Sequence, residues 1–385
     1  MLTFISFPFF FMWAFAANPS FEAQEIDADI SIGYGLAIGD VDGDGKDDIL
    51  LADKKQIVWY RNGDWKKHLI VENLTISDNV CIAARDLDGD GKVEIAVGAQ
   101  WNPGETSDTS KSGAVFYLIR PVDPTQKWIP KQLHHEPTTH RMRWVKNDKS
   151  SHLIVVPLHG RGNANGAGAE VKVIAYEYPK NPAAEWTYTL IDESMHLTHN
   201  LDVVGDGKGE FILLGGKEGV RKIEYAGGIW QQEQVYLPEN MGVGELRLGK
   251  SRGEMHFLAT IEPMHGTTLA VYESLDQKLQ SRGPKRIILH SQLKDGHSLA
   301  VADFLGLGFD QIVVGWRLPN ESGELGVKLF VPKDGSFSVF EEFWIDKGGI
   351  ACEDLQAADL NGDGKLELIA SGRATKNIKV YWNKN

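Results

Sequence analysis

The stretch LAIGDVDGDGKDDILLAD, running from Leu36 to Asp53, decides the fold. Two apolar alternating runs flank an acidic, glycine-rich loop, and the same design recurs as IAARDLDGDGKVEIAVGA from Ile82 and LQAADLNGDGKLELIASG from Leu355. Looser copies begin at Met142 (MRWVKNDKSSHLIVVPL), Leu201 (LDVVGDGKGEFILLGG), Leu246 (LRLGKSRGEMHFLAT) and Leu299 (LAVADFLGLGFDQIVVGW). Seven units of about 53 residues each fall in the range of repeat architectures.

Each unit goes on to further strand-like runs. Unit 1 continues with QIVWYRN from Gln56 and WKKHLIV from Trp65, and unit 2 with GAVFYLIRP from Gly113 and WIPKQL from Trp128. Period-two alternation, aromatic and β-branched residues, and Gly/Pro/Asn punctuation mark them as strands. Four antiparallel strands per unit, repeated radially, predict an all-β, seven-bladed β-propeller. The last unit stops after its third strand, NIKVYWNKN from Asn377. PSFEAQEID, from Pro19, is therefore expected to supply the missing fourth strand and close the ring, which removes open sheet edges.

A net charge of -13 without a Lys/Arg run gives no footprint for nucleic acid or an anionic membrane. Two cysteines among 385 residues cannot make a disulfide scaffold, and Cys81 and Cys352 are expected as free thiols. Residues 1–16, MLTFISFPFFFMWAFA, read as an export signal ending in a small-x-small pattern. That leaves residues 17–385 as one propeller domain, expected to be a secreted or periplasmic monomer with no membrane span.

In the first loop Asp40, Asp42, Asp44 and Asp48 occupy positions 1, 3, 5 and 9. Asp86, Asp88, Asp90 and Glu94 repeat the pattern in unit 2, and Asp359, Asn361, Asp363 and Glu367 in unit 7. Oxygen ligands converging at this spacing suit Ca2+, and about three structural calcium sites are expected. Unit 6 has Leu305 and Leu307 at ligand positions and should not bind. These loops resemble the FG-GAP and VCBS repeats of extracellular propellers, a resemblance that implies a calcium-bearing seven-bladed ring without fixing a function.

Six residues before each loop lie Tyr34, Val80, His140, His199, Gly244, His297 and Glu353, at one rim of the ring. Near the end of each second strand, at the same rim, come Lys54, Gln100 with Trp101, His159 with Arg161, Lys217, His265, Arg317 and Arg373. The rim thus gathers histidines and basic residues, and it reads as a locally basic mouth on an acidic protein. Neutral histidines from different strands are ligands for zinc or a similar divalent metal. His140, His159, His199, His265 and His297 are the candidate catalytic residues. Trp101, Arg161, Arg317 and Arg373 are the candidate substrate contacts, with Trp101 offering a face to a sugar ring and the arginines suited to carboxylates.

The combination of RMRW at Arg141, PLHGRGN at Pro157 and HNLDV at His199 resembles the propeller of the aldos-2-ulose dehydratase family. More loosely, the rim resembles propeller-type polysaccharide lyases. Both resemblances imply elimination from a carbohydrate, which needs a base of near-neutral pKa and a cation to stabilise an enolate. The expected function is an exported, metal-dependent carbon–oxygen lyase acting on a keto-sugar or uronate glycan. The alternative is a non-catalytic, calcium-stabilised module that binds glycan or protein. A quinone-dependent dehydrogenase is disfavoured, because the repeats carry acidic loops and no tryptophan docking motif.

Overall fold

Runs such as Asp48–Ala52 and Glu94–Ala99 are buried along their whole length. A strand achieves that only when both faces of its sheet are covered. The computed structural model describes residues 18–385 apart from 148–149, 206, 208, 236, 238–240, 253–254, 274–283, 334–336 and 338. The export segment expected over residues 1–16 lies outside the described residues.

The described residues form 28 strands in seven four-stranded antiparallel sheets. Blades 1 to 6 are β2–β5 (35–72), β6–β9 (81–133), β10–β13 (139–192), β14–β17 (198–235), β18–β21 (245–290) and β22–β25 (296–347). Blade 7 combines β26–β28 (352–383) with β1 (21–27). The first strand of every blade touches the first strand of the next all the way round, so these strands line the centre. Fourth strands form the perimeter, where Ile129, Tyr188 and Ile229 are exposed.

The apolar interior is a ring of separate layers, one between each pair of neighbouring blades. Trp59, Leu50 and Ile57 of blade 1 pack on Ile95, Val97 and Phe116 of blade 2. Ile369, Ile378 and Val380 of blade 7 pack on Leu36, Ile49 and Val58 of blade 1, so the ring has no open face. The loop ends of the blades are also laced together. Val93 N–H donates to the Asp40 carbonyl (2.8 Å), and the Asn62 side chain donates to the Leu360 carbonyl (2.7 Å). Cys81 and Cys352 are free and buried, and burial pushes both thiols up to about 12.

Closure follows the expected scheme. Strand β1 (Phe21–Asp27) pairs antiparallel with β28 (Asn377–Asn383), in register from Phe21 opposite Asn383 to Glu25 opposite Lys379, with a bulge before Asp27 opposite Ile378. Asp27 then crosses to blade 1, accepting from the Tyr60 hydroxyl (2.7 Å) and from Lys67 Nζ (2.9 Å). A chain shortened to begin at Ser31 keeps every blade-1 strand but leaves β28 as a bare edge. It is expected to melt at least about 5 °C lower, on the scale of roughly 2–4 °C per kcal/mol for large domains, and to self-associate through that edge. Thermal unfolding by circular dichroism and light scattering check both; an unchanged melting temperature in a monodisperse variant refutes the closing role.

Candidate functional site at the propeller mouth

The histidines owe their placement to β-bulges. In blade 3, β10 (Thr139–Lys146) pairs with β11 (Ser151–Pro157) with a register shift between Thr139 and Arg141, which leaves His140 as the extra residue. The shift recurs between Thr198 and Leu201 in blade 4, between Gly296 and Ser298 in blade 6, and between Cys352 and Asp354 in blade 7. His199, His297 and Glu353 lie in those bulges. The first strand pairs of blades 1, 2 and 5 run in unbroken register, and none of their first strands carries a histidine to the mouth. A bulge re-aims one side chain off the pleat; among the pairs of first and second strands it occurs only where an imidazole or a carboxylate is delivered to the mouth.

Each bulged imidazole is tied to the next bulged or equivalent residue around the ring. Nδ1 of His140 lies 3.0 Å from the His199 carbonyl, Nδ1 of His199 lies 3.0 Å from the Gly244 carbonyl, and Nδ1 of His297 lies 2.6 Å from the Glu353 carbonyl. A carbonyl only accepts, so Nδ1 carries the proton in all three and every Nε2 is left as a lone pair. His199 has further support from Glu245, whose Oε1 sits 3.2 Å from Nδ1 and has no hydrogen bond of its own.

His265 reaches the same point from the turn after β19 (His256–Glu262), in a left-handed conformation with φ 51°. Its Nε2 is 2.9 Å from His199 Nε2, and its Nδ1 faces both Arg317 Nη2 (2.9 Å) and Asp295 Oδ1 (3.3 Å). Arg317 can only donate, so His265 Nδ1 accepts and the ring proton sits on Nε2, directed at the Nε2 lone pair of His199; a cation held at this point would take the place of that proton. Ligand atoms of His199, His265 and His297 all lie within 4.8 Å of each other. That donor set, imidazoles with Nδ1 fixed by a carbonyl in His199 and His297 and by Arg317 in His265, fits a tetrahedral zinc-type site with one open position once the His265 Nε2 proton is displaced.

Burial, then the charges of Arg141 and Arg317 respectively, hold His140 and His297 well below the usual histidine range. Burial and the neighbouring His199 and Arg317 depress His265 as well, and burial alone lowers His159. These imidazoles are therefore neutral at neutral pH, below the near-neutral pKa that the sequence suggests for an acid/base pair. His159 stands apart from the cluster: it bridges to Leu197, and its Nδ1 is enclosed without a partner. Trp101 stacks on His140 at 5.0 Å between ring centroids, so this aromatic wall is continuous with the cluster. A small cavity of about 190 Å³ opens beside His199, with Leu197, Val243, Pro263 and Met264 as apolar walls.

The mouth is charge-balanced rather than basic. Arg317 forms a bidentate pair with Asp295 (2.9 and 2.7 Å) and also reaches Glu353 (3.2 Å). Arg373 donates to Glu353 (3.0 Å) and lies over the Tyr34 ring, while Arg161 forks onto Glu136 (2.6 and 3.2 Å). The three arginines nominated as substrate contacts are thus already engaged by carboxylates. Glu136 and Asp295 come from loops outside the repeat register, so aligning the repeats does not bring them into view. Glu245 was also out of view, because the aligned position in blade 5 is Gly244.

The acidic loops lie at the opposite end of the strands from the mouth. In blades 1, 2 and 7 the first Asp accepts the same two backbone N–H bonds, as Asp40 does from Gly43 (2.6 Å) and Gly45 (2.8 Å). Ligand oxygens of Asp40, Asp42 and Asp48 converge within 4.8 Å, as do those of Asp86, Asp88 and Asp90. Burial pushes Asp48 and Glu94 up to about 7. Arg61 lies 2.7 Å from Asp42 and Arg120 lies 2.5 Å from Asp90, so cationic side chains answer part of the charge. Blade 6 keeps the turn with Asp303 accepting from Leu307 and Gly308, and it replaces the last carboxylate by Gln311.

The family model of the aldos-2-ulose dehydratase β-propeller domain matches residues 112–274, a span that contains His140, His199 and His265. The model of the FG-GAP-like repeat matches residues 40–97. The chain is a distant relative of the dehydratase propeller. Aldos-2-ulose dehydratase of Phanerodontia chrysosporium is 23% identical over 257 residues, which take in 63% of this chain and 28% of that protein. The chain thus spans little more than a quarter of the length of the curated relative it matches. Among solved structures, BBS1N in complex with ARL6DN has a TM-score of 0.57 at 14% identity, covering 96% of this chain and 98% of that one. The RRP9 WD40 repeats have a TM-score of 0.58 at 15% identity, covering 95% and 99%. These two show the propeller fold alone.

Replacing Arg317 tests its bracing role. Arg317→Ala removes one of the two partners of buried Glu353, which keeps Arg373, together with the bidentate partner of Asp295, so the loss should fall below the about 3–5 kcal/mol of a buried pair broken outright. A lower denaturation midpoint is expected, with Arg317→Lys intermediate because it cannot fork. Wild-type stability in both variants contradicts the assignment.

Proposed function

We propose that the chain is an exported, metal-dependent carbohydrate lyase or dehydratase that works by elimination at the mouth. The observation that carries this is the convergence of ring nitrogens of His199, His265 and His297 from three blades, with Nδ1 of His199 and of His297 facing a carbonyl and Nδ1 of His265 facing Arg317 and Asp295. A divalent cation such as Zn2+ held by these three would act as a Lewis acid toward a substrate carbonyl or carboxylate oxygen. The distant relationship to a carbohydrate dehydratase propeller supports the same reading.

The chain's own residues have separable parts in it. Trp101, stacked on His140, offers an aromatic face to a pyranose ring. His140, neutral and buried, is placed to accept a proton at Nε2 once Arg141 turns from it toward substrate. An imidazole held below its usual range is a weak base, so it needs a carbon acid already acidified by an electrophile. His159 stands one bridge away from the cavity lining and supports this wall rather than the reacting atoms.

Incubation with keto-sugars and uronate polysaccharides, with and without chelator, should give ultraviolet absorbance from a conjugated enone or unsaturated uronate. Chelation is expected to abolish it, and a His199→Ala, His297→Ala double variant to lose at least about 100-fold in kcat/KM, equivalent to about 2.7 kcal/mol. Full activity in the double variant removes the mouth from the chemistry. Tight glycan binding without turnover on any substrate supports the adhesion-type module instead.

We further propose that the loops of blades 1, 2 and 7 hold Ca2+ as a structural ion. Glu245 is assigned as the carboxylate that orients His199, and Glu245→Gln should weaken zinc binding about 10- to 100-fold, read by competition with a chromogenic chelator. Calcium at 100 times its Kd stabilises by about 2.7 kcal/mol per site. EGTA should therefore lower the melting temperature by several degrees, and Asp40→Ala with Asp86→Ala should remove most of that response. A melting curve indifferent to EGTA leaves the loops as plain Asp/Gly turns.

A further inference from the structure

Arg141 is the exception among the arginines of the mouth. It follows the bulged His140 and is 8% exposed. Its Nη1 lies 3.1 Å from His140 Nε2 and 3.1 Å from the His140 carbonyl, and its Nη2 lies 3.5 Å from His297 Nε2. Every one of these acceptors is neutral. Among the described residues no carboxylate oxygen comes within 4.0 Å of it, whereas Arg161, Arg317 and Arg373 each have one at 3.2 Å or less. Glu245 feels Arg141 only from beyond ion-pair distance and is already bonded to Asn200 (2.6 Å) beside His199.

A guanidinium is charged at any working pH, and burying it without a counter-charge is strongly unfavourable. The fold imposes this cost at the one arginine whose fork spans from the blade-3 imidazole to the blade-6 imidazole, over the three-histidine cluster. A ligand anion is what would relieve it. We infer that Arg141 is the anion-recognising residue of the mouth and that the ligand presents a carboxylate there, taken by the free edge of the guanidinium. The adjacent Trp101 face selects a sugar ring as the body carrying that carboxylate, so the substrate class is a uronate rather than a neutral sugar. This rests on the mouth being the substrate site and does not require a metal.

Binding of galacturonate and of galactose to chelator-treated full-length protein, followed by calorimetry and tryptophan fluorescence, tests the inference. Wild type should bind galacturonate at least tenfold tighter than galactose, with acetate competing. Arg141→Gln should erase that preference, and Arg141→Lys should retain part of it. Arg141→Gln should also melt no lower than wild type, because it relieves an uncompensated buried charge. A preference for galacturonate that survives in Arg141→Gln overturns the inference, as does equal binding of both sugars by wild type. Zinc titration of the same variants is read separately. Failure to bind zinc together with an Arg141-dependent preference for galacturonate defeats the metal reading while leaving the carboxylate site standing.

Discussion

The pairing of β1 with β28 is the interaction on which the centre of the molecule depends. Radial blades make few contacts except with their two neighbours, so the inner strands hold a fixed circumference only while the circle is complete. The imidazoles at the mouth inherit that requirement. His140 of blade 3 bonds to a carbonyl of blade 4, His199 of blade 4 to one of blade 5, and His297 of blade 6 to one of blade 7. Each bond is an inter-blade fastening and also the device that fixes a tautomer. Opening the ring would loosen the fastenings and scatter the lone pairs together.

The two ends of the strands handle charge differently. At the mouth, carboxylates and guanidinium groups are interleaved, with Glu353 shared between Arg317 and Arg373 and Asp295 shared between Arg317 and His265. Such sharing fixes long side chains in one geometry, while Arg141, which no carboxylate among the described residues answers, leaves positive charge beside the imidazoles. At the loop end carboxylates cluster, and Arg61 and Arg120 answer part of their charge.

How much of this was legible in the sequence depends on whether a feature lives in one strand or between two. The blades were legible because the Asp/Gly loop and the apolar alternation recur in register, even where the loops of blades 4 and 5 have decayed. The alignment of His140, His199 and His297 followed from the same register. The bulges were hidden, since a bulge is an offset between paired strands and β10 alone does not record how it meets β11. The balance of charge at the mouth was hidden for a related reason. Counting bases at aligned positions passes over Glu136 and Asp295, which arrive from loops that the repeat does not govern, and Glu245, which is displaced by one residue from the aligned glycine.

The three-histidine cluster bears on the choice between a binding surface and a reactive one. A surface built only to hold a polyhydroxylated ligand gains from donors and acceptors turned toward solvent, each free to meet a hydroxyl. Here the ring nitrogens are turned toward one another, within 4.8 Å, and the Nδ1 protons of His199 and His297 are spent on the scaffold. Lone pairs so arranged repel unless a proton or a cation lies between them. Burial and adjacent arginines disfavour added protons, as the depressed basicity of His265 and His297 records. In the proposed reading a divalent cation would replace the His265 Nε2 proton that lies between them, and an ion held by neutral ligands would keep its full charge for an incoming oxygen. The same features that make these histidines poor bases thus make them suitable for holding an electrophile, which separates the group that polarises a substrate from the group that takes its proton.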